Sequence, residues 1–358
     1  MSACRICTSD GSTDWTSDNI SLGELFGTTE SSIRRWREKH AEHGEVIESA
    51  WRPLKRWGKP GDWRYSEETS TEVHLDNARI DSLIRDWPFT PLQGFAVDDD
   101  LANPADPQIG KAGEAGGGTD ETIARFNASI EEVAHRWELL KPKNGYLCDL
   151  GDIVENLFST PQQQSTNDRT LPEQVEDAVA MYMNALGRLL PLVGTLHHAT
   201  VTSNHGEARS APKVNPYGSE NDWGLSIQRQ IKGKCGDRGW PVVFHRPDKN
   251  EDTTVLTMTD GTEVALNHGH HSGSPKGMKQ WVTGQIVGRR PGWNARVWIH
   301  GHYHHDEHFP VGNGVTVFGT PALDGGSAWF TRKTGESSPP GIMCLTMRNG
   351  KWLNHSIL

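Results

Sequence analysis

The sequence predicts a mixed α/β fold, with two β-sheets packed face to face, helices on their outer sides, and a small all-helical region ahead of them. Three observations predict it. From about Phe89 onward strand-like runs alternate with amphipathic helices; the later part of the chain is richer in strand; and residues 18 to 43 carry two short helical patterns around a single glycine.

In that first region Leu22, Leu25 and Phe26 share one helical face, Gly27 supplies a tight turn, and Ile33 and Trp36 repeat at i and i+3 on a second short helix. Gly23 is small where two helices must approach closely. The pattern resembles a helix-turn-helix. The outward positions of its second helix are Ser31, Ser32, Arg34, Arg35, Arg37 and Lys39, a set able to contact phosphates and base edges in a major groove. DNA is therefore the expected partner, read by Arg34, Arg35, Arg37 and Lys39. A helical domain whose basic face is merely solvated, or one that docks on a protein, is the other reading. Trp51 to Arg64, rich in Trp, Pro and Arg, reads as a wing or a linker, so residues 1 to 75 form one module with its linker. Cys4 and Cys7 make a lone CxxC that His40 and His43 could complete as a zinc site; two ordinary thiols are the alternative.

The main domain is expected over residues 89 to 358. Ile123, Phe126, Ile130, Val133 and Trp137 recur at three and four, which predicts a helix from about Asp120 to Leu140 that Pro142 stops. Tyr146-Leu147-Cys148 reads as a buried strand ending at Gly151-Asp152. A second helix, about Pro172 to Leu190, precedes a strand predicted over Ala199 to Thr202. Val255 to Met258 and Val264 to Leu266, joined at Asp260-Gly261, read as a hairpin. Val297 to Ile299, Val315 to Phe318, and a closing hairpin of Ile342 to Met347 and Trp352 to Ile357 complete the strands. Asp98 to Pro104 reads as a poor strand, because Asp, Asn and Pro disfavour the ladder.

Hydrophobic residues make up 34% of the 358 and mean hydropathy is -0.63, which fits a folded body with polar loops rather than a disordered chain. No stretch of about 18 apolar residues and no basic-then-apolar start occurs, so neither membrane spanning nor secretion is expected. Five scattered cysteines make no disulfide framework and point to a reducing cytoplasm, bacterial or phage-infected. The net charge of -10 argues against nucleic acid only if spread evenly; local basic patches act on their own.

The chemistry lies in a series of Asp, Asn, Gln and His residues that each follow a strand-like run: Asp106 and Gln108, Gly151-Asp152, Asn204-His205, His268, and Gly301-His302-Tyr303-His304. Oxygen donors mixed with imidazoles, delivered one or two at a time from strand ends, are what a pair of divalent transition metals needs. His270, His271, His300, His305 and His308 lie close by and read as supporting or rim groups.

The order of these motifs is similar to that of the calcineurin-like metallophosphoesterase superfamily, whose pattern is DxH, GDxx(D/E), GNH(D/E), an isolated His and GHxH. The resemblance covers about residues 89 to 358. It implies a four-layer α/β/β/α sandwich with two metals at the strand ends, manganese first, with iron or zinc able to serve. Carried onto this sequence, it implies Asp106, Gln108, Asp152 and His304 at the first metal and Asp152, Asn204, His268 and His302 at the second, with Asp152 bridging. It further implies a water activated by both metals as nucleophile. His205 would stabilise or protonate the leaving group, oriented by Glu207 or, as a second choice, Glu155. Three features depart from the family pattern: Gln108 stands where the family has His, Ser203 where it has Gly, and Gly206 where it has an acid. The glutamine should weaken the first metal.

The family acts on many phosphate esters, so the extra module does most to choose the substrate. A DNA-reading module joined to a two-metal hydrolase suits a nuclease or DNA-end-processing phosphodiesterase, with Lys276, Lys279, Arg289 and Arg290 as further phosphate contacts. The run Thr320 to Gly326 is similar to nuclease-like members from bacteria and phages. A phosphomonoesterase or small-molecule phosphodiesterase recruited by the helical module is the rival, and a DNA-binding protein with a non-catalytic domain is the third reading.

Overall fold

The computed structural model describes residues 95–113, 117–157, 167–211, 214–216, 218–324 and 338–358, together with two short strands at 56–57 and 64–65. The chain divides into two compact units, Met1–Asp86 and Trp87–Leu358. In the first, β1 (Arg56–Trp57) and β2 (Arg64–Tyr65) pair antiparallel within the stretch read as a wing or linker. The helix-turn-helix pattern, the DNA contacts expected at Arg34, Arg35, Arg37 and Lys39, and the Cys4, Cys7, His40 and His43 set lie outside the described residues.

The second unit is mixed α/β, with two sheets and four helices among the described residues. The first sheet holds β3 (Val97–Asn103), β4 (Pro142–Cys148), β5 (Thr195–Ala199), β6 (Val242–His245), β12 (Met343–Arg348) and β13 (Lys351–Ile357), in the order β13-β12-β3-β4-β5-β6. The second holds β7 (Thr254–Thr257), β8 (Glu263–Asn267), β9 (Val297–His300), β10 (Glu307–Gly312) and β11 (Val315–Gly319), in the order β10-β11-β9-β8-β7. Strands β3 to β6 are mutually parallel, as are β8, β9 and β11. The helices are α1 (Thr119–Leu140), α2 (Leu171–Leu189), α3 (Trp223–Asp237) and α4 (Met278–Val287).

Side-chain alternation along each strand decides the packing. Ala102, Leu147 and Leu196 face Phe126, Val133 and Trp137 of α1, Tyr182 and Leu186 of α2, and Ile227 and Ile231 of α3. Their neighbours Leu101, Tyr146 and Ala199 face the other way, into a core shared with Leu266, Val297, Ile299 and Phe318 of the second sheet. Beyond it, Ala265, Trp298 and Val317 pack on Met278 and Val282 of α4. The layers therefore run helices, sheet, sheet, helix. Each fully buried side chain of Phe126's size contributes about 2 to 3 kcal/mol to that arrangement.

Helix ends follow local chemistry. Thr170 caps α2, where its N–H donates to Glu173 Oε2 at 2.7 Å, with proline in the first turn. At the far end of α1, Lys141 turns left-handed, with φ 47°, and β4 begins at Pro142.

Two expectations change. Asp98 to Pro104 contains a central strand, β3, because Asp99 and Asp100 find donors inside. Asp100 accepts from Arg136 Nε (2.9 Å), Arg136 Nη2 (2.8 Å), Trp137 Nε1 (2.9 Å) and Thr346 Oγ1 (2.6 Å). The strand predicted at Ala199 to Thr202 lies earlier, as β5, and the chain leaves the ladder where Thr254 Oγ1 takes the Thr200 carbonyl at 2.6 Å. Strands β6 and β10 and helices α3 and α4 add to the predicted elements.

Candidate metal centre

Every candidate ligand follows a parallel strand at its C-terminal end, where the two sheets open onto a common edge. Beyond β3, residues 104–109 run beside residues 150–155 beyond β4: Leu150 N donates to Pro104 O (3.0 Å), Gln108 N to Asp152 O (2.9 Å) and Ile109 N to Ile153 O (2.8 Å). Asp106, Gln108 and Asp152 thus occupy one hydrogen-bonded pair of loops. Asn204 and His205 follow β5, His268 follows β8, and His302 and His304 follow β9. Two glycines permit this approach. A Cβ on Gly151, whose φ is +91°, would lie 2.6 Å from Ser203 Cβ, and one on Gly301 would lie 2.7 Å from Asp106 Oδ2.

Asp152, His268 and His302 each direct one donor atom into a cluster whose atoms all lie within 4.8 Å of one another. His268 Nε2 is 3.1 Å from Asp152 Oδ2 and 2.9 Å from Asn204 Oδ1, while its Nδ1 is fixed 2.8 Å from the Leu150 carbonyl. The rings of His268 and His302 are 4.9 Å apart. On the other side of Asp152, Asp106 Oδ2 accepts the His302 N–H at 2.9 Å and Asp106 Oδ1 lies 3.3 Å from His304 Nε2. Gln108 Oε1 accepts from Lys111 Nζ at 2.9 Å.

Asp106, Gln108, Asp152, His302 and His304 all adopt left-handed backbone, with φ between 44° and 71°. Non-glycine residues rarely do so, and five in one pocket mark a backbone held by its surroundings. Ser203 supplies part of that hold: its Oγ accepts the N–H of Asp152 (2.8 Å) and of Gly206 (3.2 Å). Asp222, which caps α3 by accepting from Leu225 N (3.1 Å), also accepts from Ser203 N (3.1 Å). Asp149 accepts from Gly151 N (3.0 Å), Tyr182 OH (3.2 Å) and Thr200 Oγ1 (2.5 Å) beneath the same turn. The sequence reading assigned none of Asp149, Asp222 and Lys111 a role, and gave Ser203 none beyond its departure from glycine. A polar residue flanking a ligand motif was the available signal.

Electrostatics follow the same arrangement. Burial alone would raise Asp152, but His268, His205 and His302 outweigh it and hold the carboxyl well below its usual range. Burial alone would lower His268 and His205, yet Asp152, joined by Asp106 for His268 and by Glu155 for His205, lifts each to about 9. Burial and the nearby His268 push His302 down to about 3. Buried acids beside imidazoles, one of them neutral, suit the binding of a divalent cation. Asp106 Oδ1, which accepts no hydrogen bond from the described residues, fits a cation as well.

His205 sits over Asp152, its N–H donating to Asp152 Oδ1 at 2.8 Å, and its Nδ1 lies 3.2 Å from Glu155 Oε2. Glu155 is thus the carboxylate that faces His205; Glu207 pairs instead with Arg209, which also donates to the Asn204 carbonyl at 3.0 Å. Lys276 and Lys279 are exposed at the start of α4, Arg290 pairs with Glu251, and Arg289 lies over Trp293.

No protein-family model matches this chain, and no curated protein matches it. Solved structures similar to it include the sulfate thiohydrolase SoxB of Thermus thermophilus, in complex with glycerol, at 11% identity and TM-score 0.34, and PhoD, at 9% identity and TM-score 0.33. The matched regions cover 76% and 73% of this chain, and 57% and 65% of those chains.

Proposed function

We propose that the chain is a metal-dependent phosphoesterase that hydrolyses phosphodiester bonds, as a DNA nuclease or DNA-end-processing enzyme. The observation that carries this reading is the convergence of Asp152, His268 and His302 on one point from strand ends of both sheets. In this reading Asp152, Asn204, His268 and His302 hold one divalent cation, and Asp106, Gln108, Asp152 and His304 face a second, manganese being the first choice for an oxygen-and-imidazole set. When bound, such cations supply Lewis acidity and offset charge at a phosphoryl group.

The chain's own residues orient and move protons. The Leu150 carbonyl holds His268 Nδ1, so that Nε2 faces the cluster. Glu155 holds His205 Nδ1 at 3.2 Å, which leaves Nε2 to donate a proton to a leaving oxygen. Recruitment to DNA falls to Arg34, Arg35, Arg37 and Lys39, with Lys276 and Lys279 as added phosphate contacts.

Full-length protein loaded with manganese, given plasmid DNA and a chromogenic phosphomonoester, tests the reading. Cleavage of DNA that is lost in Asp152→Asn supports it. Turnover of the monoester with intact DNA would replace it with a phosphomonoesterase, and no turnover with no bound metal would leave a non-catalytic domain.

A further inference from the structure

Lys111 follows Gln108 by three residues, and the turn between them folds its side chain back over the glutamine. Its N–H donates to the Gln108 carbonyl at 3.0 Å across Gln108 (φ 44°) and Gly110 (φ 103°), and its Nζ donates to Gln108 Oε1 at 2.9 Å. The same ammonium pairs with Asp324, whose side chain is buried and whose Oδ1 lies 3.8 Å from His304 Nδ1. Asp324 is brought there from beyond β11 by its neighbour Leu323, whose N–H donates to Ala105 O at 3.0 Å and whose carbonyl accepts from Arg125 Nε at 3.0 Å. The side-chain oxygen that Gln108 would offer a cation is therefore engaged by an ammonium, and that ammonium is tied in turn to the buried Asp324 beside the Asp106–His304 position. At the Asp152–His268–His302 cluster the adjoining oxygen, Asn204 Oδ1, instead faces the ring nitrogen of His268.

We propose that the two halves of the pocket differ in kind. The Asp152–His268–His302 position is the tight divalent-metal site, and the Asp106–His304 position is a weak one whose glutamine oxygen is occupied by the Lys111 ammonium, itself paired with Asp324. This rests on the metal-dependent reading above. Before the glutamine oxygen can coordinate an entering cation, the ammonium must give up its hydrogen bond to Gln108 within the Lys111–Asp324 ion pair, which costs affinity.

Calorimetric titration of metal-stripped, full-length protein with manganese, with bound ions counted by electron paramagnetic resonance, tests this. The expected result is one tight equivalent and a second at least about tenfold weaker. Lys111→Met should tighten the weak event by about tenfold while leaving the tight one unchanged, and His304→Ala should remove only the weak event. If Lys111→Met does not fold, Lys111→Gln, which keeps a hydrogen-bond donor for Asp324, takes its place. Two equivalents of equal affinity, or a weak event that does not respond to loss of the ammonium, would overturn the inference and leave the metal-dependent reading standing. No manganese bound at all would overturn both.

Discussion

Asp99 and Asp100 in β3 are as buried as Asp106 and Asp152 in the loops around the pocket, yet the two sets are supplied with partners very differently. Asp100 accepts four hydrogen bonds, two of them from one guanidinium, and Asp99 accepts from Asn144, from Tyr146 and from both the N–H and the hydroxyl of Thr259. Asp106 and Asp152 each accept one backbone N–H and turn the other oxygen toward an imidazole. Burial is common to both sets, so it does not mark function. Acceptor capacity left facing a shared space does. Histidines repeat the lesson: burial and nearby His245 push His198 down to about 3, whereas carboxylates lift the equally buried His268 to about 9.

The comparison can be broken at several points. Asp152→Asn should lower kcat/KM by about 10³-fold or more, about 4 kcal/mol of transition-state stabilisation, while the urea midpoint stays the same or rises. A variant that unfolds instead would erase the distinction between the two sets. Asp100→Ala should do the reverse. It takes the carboxylate from Arg136, which among the described residues keeps only the Ser356 and Thr346 hydroxyls, and from the Trp137 indole N–H, costs about 3 to 5 kcal/mol, and lowers Tm by about 10 °C in a melting experiment, with the activity of the folded fraction intact.

Glu155→Gln should reduce activity by about 10²-fold. It should also move the alkaline limb of the pH–rate profile to lower pH, because losing the neighbouring charge lets the His205 pKa fall; a limb that stays in place would show that Glu155 does not act on His205. The smallest effect concerns His198. Its folded pKa lies below the ordinary 6.5, so its contribution is complete above pH 6.5 and is lost as pH falls toward about 3. Between pH 7 and 5 the wild type should therefore lose about 2 kcal/mol more stability than His198→Gln in urea titrations, since each pH unit below 6.5 costs about 1.4 kcal/mol.

Much of this is legible in the sequence. The three-and-four spacing of Phe126, Ile130, Val133 and Trp137 marks α1 because a helix buried on one face must repeat that way. β8 and β9 were readable because apolar side chains crowd a strand covered on both faces. β3 was not, since its acids count against a strand until Arg136, Trp137 and Thr346 are known to meet them, and those partners lie as many as 246 residues away. The site divides likewise. The order of candidate ligands along the chain is a one-dimensional property, so Asp152, His268, His302 and His304 can be singled out from the sequence. That Glu155 rather than Glu207 faces His205, and that Lys111 meets Gln108, depends on turn geometry and on competition from Arg209, which spacing does not encode.

The left-handed backbone at Asp106, Gln108, Asp152, His302 and His304 limits how this pocket can change over time. Asn, Asp, His and Gly tolerate such angles, whereas Val, Ile and Thr meet their own backbone there. Replacement at these five places is filtered by handedness before any coordination chemistry is tested. A laboratory library directed at this pocket should draw on the tolerant residues and omit the β-branched ones.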